Sequence, residues 1–219
     1  HLGDFGAEGR EKEILDQLRG IKYLIKGNHD TRSNEYYRRA GFAEVYDIFM
    51  DNTPYEEWTE FLLQLFREEG ISEGILLDLG CGTGAMTELM AHQGYDMIGV
   101  DASADMLSVA YERQAESGTT GVLFLQQDMR AFELYGTVGA VSCCLDSVNY
   151  LLCEQDLLRC FKSVHTYLEP DGLFLFDVNT PYKFEQIYGD NAYILEDTDG
   201  DGKAVYCGWQ NDFDRETGR

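Results

Sequence analysis

A glycine-rich turn near the middle of the chain carries the residues whose types and spacing suggest chemistry. Three glycines occupy alternate positions there, after a continuous apolar run and before apolar residues at helical spacing that end at Gly94. They are Gly80, Gly82 and Gly84. A strand, a glycine turn and a helix in this order bring bare backbone and a helix N-terminus up to a ligand. The pattern therefore predicts a ligand-binding turn.

A second feature, an acidic residue further along the chain, indicates which kind of ligand. Asp101 ends another apolar run, residues 96–100, and lies 21 residues after Gly80 (101 − 80). An acid at this distance can accept hydrogen bonds from both hydroxyls of a ribose. The turn and the acid together predict a cofactor that contains a nucleoside.

Two classes of cofactor fit this pattern. Gly80-x-Gly82-x-x-Ala85 satisfies the loose form of the dinucleotide fingerprint, so an NAD-dependent oxidoreductase is one reading. Asp78 lies two residues before the first glycine, and its carboxylate would repel a pyrophosphate but suits a positive ammonium or sulfonium group. We therefore favour a cationic nucleoside and keep NAD as the alternative.

The elements that position these residues alternate regularly. Short apolar runs predict strands at 74–79, 96–100, 121–125, 138–144 and 173–178, with helical patterns between most of them. This order predicts an α/β fold with a doubly wound parallel sheet and helices on both faces. Residues 193–195 and 204–209 predict a short β-hairpin near the C-terminus. Thr53, Pro54 and Glu56 predict the start of a helix with a capping box.

Residues 77–84 closely resemble the first motif of the class I S-adenosylmethionine-dependent methyltransferases. The resemblance continues through residues 99–103 and 127–129 and covers roughly residues 41–219. It implies a Rossmann-like fold, S-adenosylmethionine as cofactor, and methyl transfer to a small-molecule acceptor. The family's sheet normally carries two more strands, so we expect a fragment that is incomplete at its C-terminus.

The resemblance also implies individual roles. It places Asp128 on the adenine amino group, Met129 against the adenine ring, and Tyr46 on a lid at the methionine end of the cofactor. Residues 145–150 would line the reaction centre. The predicted cofactor-binding residues are Tyr46, Asp78, Gly80, Cys81, Gly82, Asp101, Ala102, Met106, Asp128, Met129 and Leu145. No catalytic residue is assigned, because a general base is needed only for acceptors that must lose a proton.

Residues 1–40 differ from the rest of the chain. Gly3-Asp4 and residues 27–30, Gly-Asn-His-Asp, resemble two metal-binding motifs of the calcineurin-like metallophosphoesterases. In that family the residues matching Asp4, Asn28 and His29 serve two metals and the phosphate. The family's other ligands have no match here, so we expect no metal site and read residues 1–40 as a leader fused to the methyltransferase domain, 41–219. A phosphoesterase, or an ordinary helical extension of the domain, are the alternatives.

Composition restricts the partners. The 219 residues contain 17 Lys and Arg against 40 Asp and Glu, for a formal charge of −23. Such a surface repels phosphate groups, so neither nucleic acid nor an anionic membrane is expected as a partner. The six cysteines show no repeated Cys-x-x-Cys spacing and are expected to be buried thiols of a cytoplasmic protein. They are Cys81, Cys143, Cys144, Cys153, Cys160 and Cys207.

Overall fold

The structure is a computed structural model of the chain. It describes residues 21–24, 42–50, 52–189, 192–198, 202 and 204–210. The chain divides into two compact units, one formed by residues 53–179 and the other by residues 1–52 together with 180–219. The two units are described separately below.

The unit of residues 53–179 is a parallel five-stranded sheet with helices between the strands. Its elements are α2 (Tyr55–Glu68), β2 (Ile75–Leu79), α3 (Ala85–His92), β3 (Asp96–Asp101), α4 (Ala104–Ser117), β4 (Val122–Gln126), β5 (Val138–Cys143), a 3₁₀ helix (Ser147–Tyr150), α5 (Glu154–Tyr167) and β6 (Leu168–Phe176). The strand order is β4-β3-β2-β5-β6, and every pairing is parallel. The prediction of a doubly wound parallel sheet is confirmed.

Strand β2 is the central strand of the sheet, and apolar side chains cover both of its faces except at Asp78. Leu77 and Leu79 are fully buried against α5, and Leu76 is buried on the opposite face against α2 and α3. A strand covered on both faces reads as a continuous apolar run rather than an alternating one. This explains why residues 74–79 gave a clear strand pattern in the sequence.

The strands are added to the sheet in opposite directions on the two sides of β2. After β2 the chain adds β3 and β4 on one side, and then crosses to add β5 and β6 on the other. Such a switch point opens a crevice beyond the carboxyl ends of the two strands that flank it, and ligands of open α/β sheets bind there. The glycine turn follows β2 directly, at this position.

The second unit contains a smaller, three-stranded sheet. Its strands are β1 (Ile21–Leu24), β7 (Ala192–Thr198) and β8 (Ala204–Gln210), in the order β1-β8-β7. Strands β7 and β8 form an antiparallel hairpin, as predicted, and β1 pairs with β8 in parallel. Helix α1 (Phe42–Phe49) and a π-helix (Lys183–Tyr188) also belong to this unit. None of the helices in the described segments is long and apolar enough to cross a membrane.

The start of helix α2 differs from the prediction. The helix begins at Tyr55, and its N-cap position is Pro54 rather than Thr53. Pro54 has φ −78° and ψ 66°, and the Tyr55 N–H donates to the Thr53 carbonyl at 2.8 Å. These values are those of an inverse γ-turn, which places Pro54 outside the helix and moves Glu56 too close to its start for the reciprocal bond.

Two further local predictions need correction. The last strand of this sheet, predicted at 173–178, is β6 and begins earlier, at Leu168. The β5–β6 register shifts between Val138 and Ala140 to accommodate residues 169–172. Gly172 permits this because a Cβ there would lie 2.8 Å from the Gly139 carbonyl oxygen. Cys153 is exposed at the start of α5, whereas the other described cysteines with known burial are buried as expected.

Two leucines of the same sheet should differ sharply in their contribution to stability. Leu77→Ala empties a fully buried position in β2, so we expect the free energy of unfolding to fall by about 2–5 kcal/mol. Leu123 on the edge strand β4 is 48% exposed, and Leu123→Ala should cost less than about 1 kcal/mol. Urea denaturation of both variants measures this, and equal losses would contradict the central position of β2.

Candidate cofactor site at the carboxyl ends of the strands

The glycine turn is held to the neighbouring strand through its backbone. The N–H groups of Gly80 and Cys81 both donate to the Val100 carbonyl on β3, at 2.7 and 3.1 Å. The Gly84 N–H donates to the Cys81 carbonyl at 2.9 Å and closes the turn before α3 begins. The turn thus joins the carboxyl ends of two adjacent parallel strands.

Packing explains why two of the three glycines cannot carry a side chain. A Cβ at Gly80 would lie 2.8 Å from Ser147 Oγ, and a Cβ at Gly84 would lie 2.8 Å from Phe124 Cζ. Gly82 differs, because a Cβ there would meet nothing within 4 Å. Gly82 therefore faces open space, and its bare backbone is the part of the turn that a ligand can approach closely.

Asp101 connects the end of β3 to this open part of the turn. Its Oδ2 accepts the Gly82 N–H at 2.9 Å, and its Oδ1 accepts the Ser103 N–H at 2.8 Å. A carboxylate offers about four lone-pair positions, so each oxygen keeps capacity for a further donor. The structure brings together Asp101, which was predicted to hold the ribose, and Gly82, which was predicted to bind the cofactor.

Asp78 is buried at the end of β2, next to the start of the turn. Its side chain accepts hydrogen bonds from the Thr87 hydroxyl at 2.6 Å and the Ser142 hydroxyl at 3.4 Å. Burial raises the pKa of Asp78 to about 6, the two hydroxyl donors lower it in part, and the charge of Asp101 raises it further. The carboxylate is therefore mostly ionised at neutral pH, but at a cost that a nearby cation would relieve.

Asp128 and Met129 follow β4 at the same edge of the sheet. Both Asp128 oxygens accept hydrogen bonds from the Arg130 side chain, at 2.9 Å to Oδ1 and 3.1 Å to Oδ2 from Nε, and Arg130 lowers the pKa of Asp128. Asp128 also caps the turn through the Arg130 N–H. An adenine amino group would be an additional donor to this carboxylate, and that role stays a prediction. The Met129 methyl group lies 3.5 Å from the Cβ position of Gly80, so Met129 borders the turn.

The remaining predicted residues lie at different distances from the turn. Ala102 is exposed after Asp101, and Met106 lies in the first turn of α4, where its N–H donates to Ser103 Oγ at 3.3 Å. Cys81 is buried beside Gly99. Leu145 packs against the core with a left-handed φ of 55°. Tyr46 belongs to helix α1 of the other unit, so its contact with a cofactor stays a prediction.

Two hydroxyl residues of the site, Thr87 and Ser142, were not identified from the sequence, and both hold Asp78. Ser147 lies in the predicted segment 145–150, but its packing against Gly80 was not predicted. The signal of Thr87 and Ser142 was a small hydroxyl side chain within an otherwise apolar strand or helix face, where a buried polar group needs a partner. Asp4, Asn28 and His29, the residues of the predicted leader motif, lie outside the described residues.

Comparison with known proteins agrees with this geometry. Residues 76–172 match a family described as a methyltransferase domain. The chain is 40% identical over 160 residues to YqeM of Bacillus subtilis, by name a methyltransferase. The matched region covers 73% of this chain and 62% of that protein. The chain thus spans less than two thirds of the length of that relative.

Two further comparisons concern proteins named for the reaction they catalyse. A dTDP-3-amino-3,4,6-trideoxy-alpha-D-glucopyranose N,N-dimethyltransferase of Streptomyces venezuelae is 29% identical over 165 residues, 74% of this chain and 66% of that protein. An S-adenosylmethionine-dependent methyltransferase from Clostridium acetobutylicum superimposes with a TM-score of 0.67 at 27% identity, over 80% of this chain and 82% of that one. These findings lend no support to the phosphoesterase resemblance of residues 1–40.

The two glycines Gly80 and Gly82 should respond differently to the same substitution. Both have a positive φ, 80° and 54°, so an alanine costs about 1–2 kcal/mol at either position. Gly80→Ala must also displace Ser147, which adds about 1–3 kcal/mol. Thermal or urea unfolding should rank Gly80→Ala as clearly less stable than Gly82→Ala. The reverse order would be incompatible with the packing of Ser147 on the turn.

Burial of Asp78 predicts a specific dependence of stability on pH. Because folding raises its pKa from 3.8 to about 6, the native state binds this proton more tightly than the unfolded state. Its ionisation should therefore remove about 3 kcal/mol of stability as the pH rises from about 4 to above 6. Asp78→Asn should lack this loss. The free energy of unfolding of the variant should therefore rise relative to that of the unmodified protein over that pH range.

The matched control for this measurement is Asp96→Asn. It changes the same charge at an exposed position on β3. Its pH profile should run parallel to that of the unmodified protein in urea titrations across the range. Parallel profiles for Asp78→Asn as well would show that Asp78 titrates normally and would contradict its burial as an ionisable group.

Proposed function

We propose that this chain, which contains a class I S-adenosylmethionine-dependent methyltransferase domain, transfers a methyl group from S-adenosylmethionine to a small-molecule acceptor. The observation that carries the proposal is the buried carboxylate of Asp78 in the strand that leads into the glycine turn, where the backbone of Gly82 faces open space. A buried negative charge at a nucleoside-binding turn favours a cationic nucleoside over a pyrophosphate. The relatives named as methyltransferases support the same choice.

The residues of the turn fit such a cofactor. Asp101 has acceptor capacity beyond the N–H groups of Gly82 and Ser103, which suits the two ribose hydroxyls. Gly82 leaves the space that a Cβ would take. Met129 borders the turn from the β4 side, where an adenine ring would need an apolar surface. The cofactor would then lie across the carboxyl ends of β2, β3 and β4.

The chemistry requires little covalent participation by the protein. When bound, S-adenosylmethionine supplies a methyl group on a sulfonium, which is a good leaving group for in-line displacement by a nucleophile. The protein's contribution is to hold the acceptor in line and to keep water out. Asp78 adds a fixed negative charge that is balanced while the cofactor is cationic.

We propose the size class of the methyl acceptor and not its chemical identity. The Streptomyces venezuelae relative is named for an amino-sugar nucleotide, which is a small molecule. We extend only that class, a small-molecule acceptor, to this chain. A cytoplasmic location is part of the proposal as well, because the four buried cysteines of the described residues are free thiols, which persist in reducing compartments.

Isothermal titration calorimetry with S-adenosylhomocysteine and with NAD tests the proposal. We expect S-adenosylhomocysteine to bind and NAD to give no signal. Asp101→Asn should weaken S-adenosylhomocysteine binding by about 10- to 100-fold, because hydrogen bonds to charged groups contribute roughly 1.5–3 kcal/mol. Asp105→Asn, which changes the same charge in the first turn of α4, should leave the affinity within about twofold. NAD binding without S-adenosylhomocysteine binding would refute the proposal.

A further inference from the structure

The short 3₁₀ helix after β5 borders the cofactor site. Its first residue, Ser147, lies against the glycine turn at Gly80, and the Ser147 hydroxyl donates to the Cys144 carbonyl at 2.8 Å. Its last residue, Tyr150, follows three positions later. Side chains three residues apart in a 3₁₀ helix lie above one another. Tyr150 is therefore on the face of this helix that meets the glycine turn.

Tyr150 is an exposed aromatic residue near two acidic residues of the site. It is 80% exposed. Surrounding protein raises the pKa of its hydroxyl, and the charges of Asp146 and Asp101 raise it further. A ligand can therefore approach the ring from solvent, next to these two carboxylates. The hydroxyl also stays protonated at neutral pH.

The loop that presents Tyr150 is strained and firmly braced. Leu145 and Asp146 both have φ 55°, a conformation that costs non-glycine residues about 1–3 kcal/mol each. The Asp146 N–H donates to Asp177 Oδ2 at 2.9 Å, and the Asn179 side-chain amide donates to the Asp146 carboxylate. The Asn149 side-chain oxygen accepts the Asn179 N–H at 2.9 Å. The segment that follows β6 thus fixes the loop, as expected where strain is retained for positioning.

The charges beside this loop favour a cation. Asp177 Oδ1 is buried and has no hydrogen-bond partner within the described part of the chain. Asp78 and Asp177 both act on the thiols of Cys143 and Cys144 at the end of β5, and burial together with these charges raises the pKa of Cys144 to about 12. The carboxyl end of β5 is therefore a region of negative potential, with an exposed aromatic face at its entrance.

We propose that Tyr150 binds the methyl acceptor and that the acceptor is an amine, which arrives at the site as a cation. The bound ammonium gives its proton to water before its nitrogen lone pair attacks the methyl group, and the N–C bond then forms as the S–C bond of the sulfonium breaks, which leaves S-adenosylhomocysteine. The ring face of tyrosine attracts an ammonium group, and the surrounding carboxylates increase its local concentration. A neutral alcohol of the same shape gains neither contribution. The inference rests on the proposed function, because it assigns the acceptor side of the same site. It adds the acceptor class and the residue that binds it.

The test uses a cation that cannot react. Tetramethylammonium carries the charge of an alkylated amine without an N–H or a lone pair, and tert-butanol is a neutral probe of similar size. Each probe is titrated by NMR into the full chain saturated with S-adenosylhomocysteine. We expect tetramethylammonium to bind in preference to tert-butanol, and Tyr150→Ala to weaken its binding by about two- to fivefold. Tyr150→Phe, which keeps the ring, should retain most of that binding.

Tyr135→Ala is the matched control, because Tyr135 is fully exposed in the loop before β5, at the other end of that strand. It should bind tetramethylammonium as the unmodified protein does. Should Tyr150→Ala fail to fold, as judged by circular dichroism, Tyr150→Leu replaces it and is judged by the same criterion.

The outcomes separate the two proposals. Absence of S-adenosylhomocysteine binding to the unmodified protein refutes the proposed function itself. With S-adenosylhomocysteine bound, equal affinity for tetramethylammonium and tert-butanol, or no binding of either, overturns the amine class. Selective binding that is unchanged in Tyr150→Ala overturns the assignment of Tyr150 alone.

Discussion

The site depends on a carboxylate that the fold holds out of water. Asp78 is 4% exposed in the central strand and accepts hydrogen bonds from two hydroxyl groups. Two such donors replace only part of the hydration that an ionised carboxylate loses on burial, which is why its pKa remains raised to about 6. A buried acid of this kind is retained against a cost in stability. A cationic ligand beside it would recover that cost on binding, which connects the stability of the apo protein with its choice of cofactor.

Close packing fixes the glycine turn against the segments around it. Gly80 and Gly84 have no room for a Cβ because Ser147 and Phe124 occupy that space. Asp101 then ties the remaining glycine, Gly82, to the end of β3. Contacts from β3, β4 and the loop after β5 thus converge on five residues. The turn cannot move without shifting each of them, which is the rigidity that a preorganised binding site requires.

The part of this arrangement that is local in sequence could be predicted, and the part that is distant could not. The strand, the turn, the helix and Asp101 follow from apolar runs and glycine spacing, and Ser103, which caps α4, is a residue type that favours that position. The contact of Ser147 with Gly80 joins residues that are 67 positions apart in the sequence. The hydrogen bond between Asp146 and Asp177 joins residues that are 31 positions apart. No pattern in a single sequence encodes such pairings. The wrong helix start at Thr53 has another origin, because a proline can open a helix or form a γ-turn before it.

This division between local and distant contacts has a functional consequence. The proposed cofactor side of the site consists of consecutive residues and of the acid at the end of the next strand, so it can persist through large changes elsewhere in the chain. The proposed acceptor side depends on a strained loop that the segment after β6 holds through Asp177 and Asn179. Changes in those bracing residues would alter the position of Tyr150 while leaving the turn intact. A fold of this kind can therefore change its acceptor without changing its cofactor, because the two depend on different strands for their geometry.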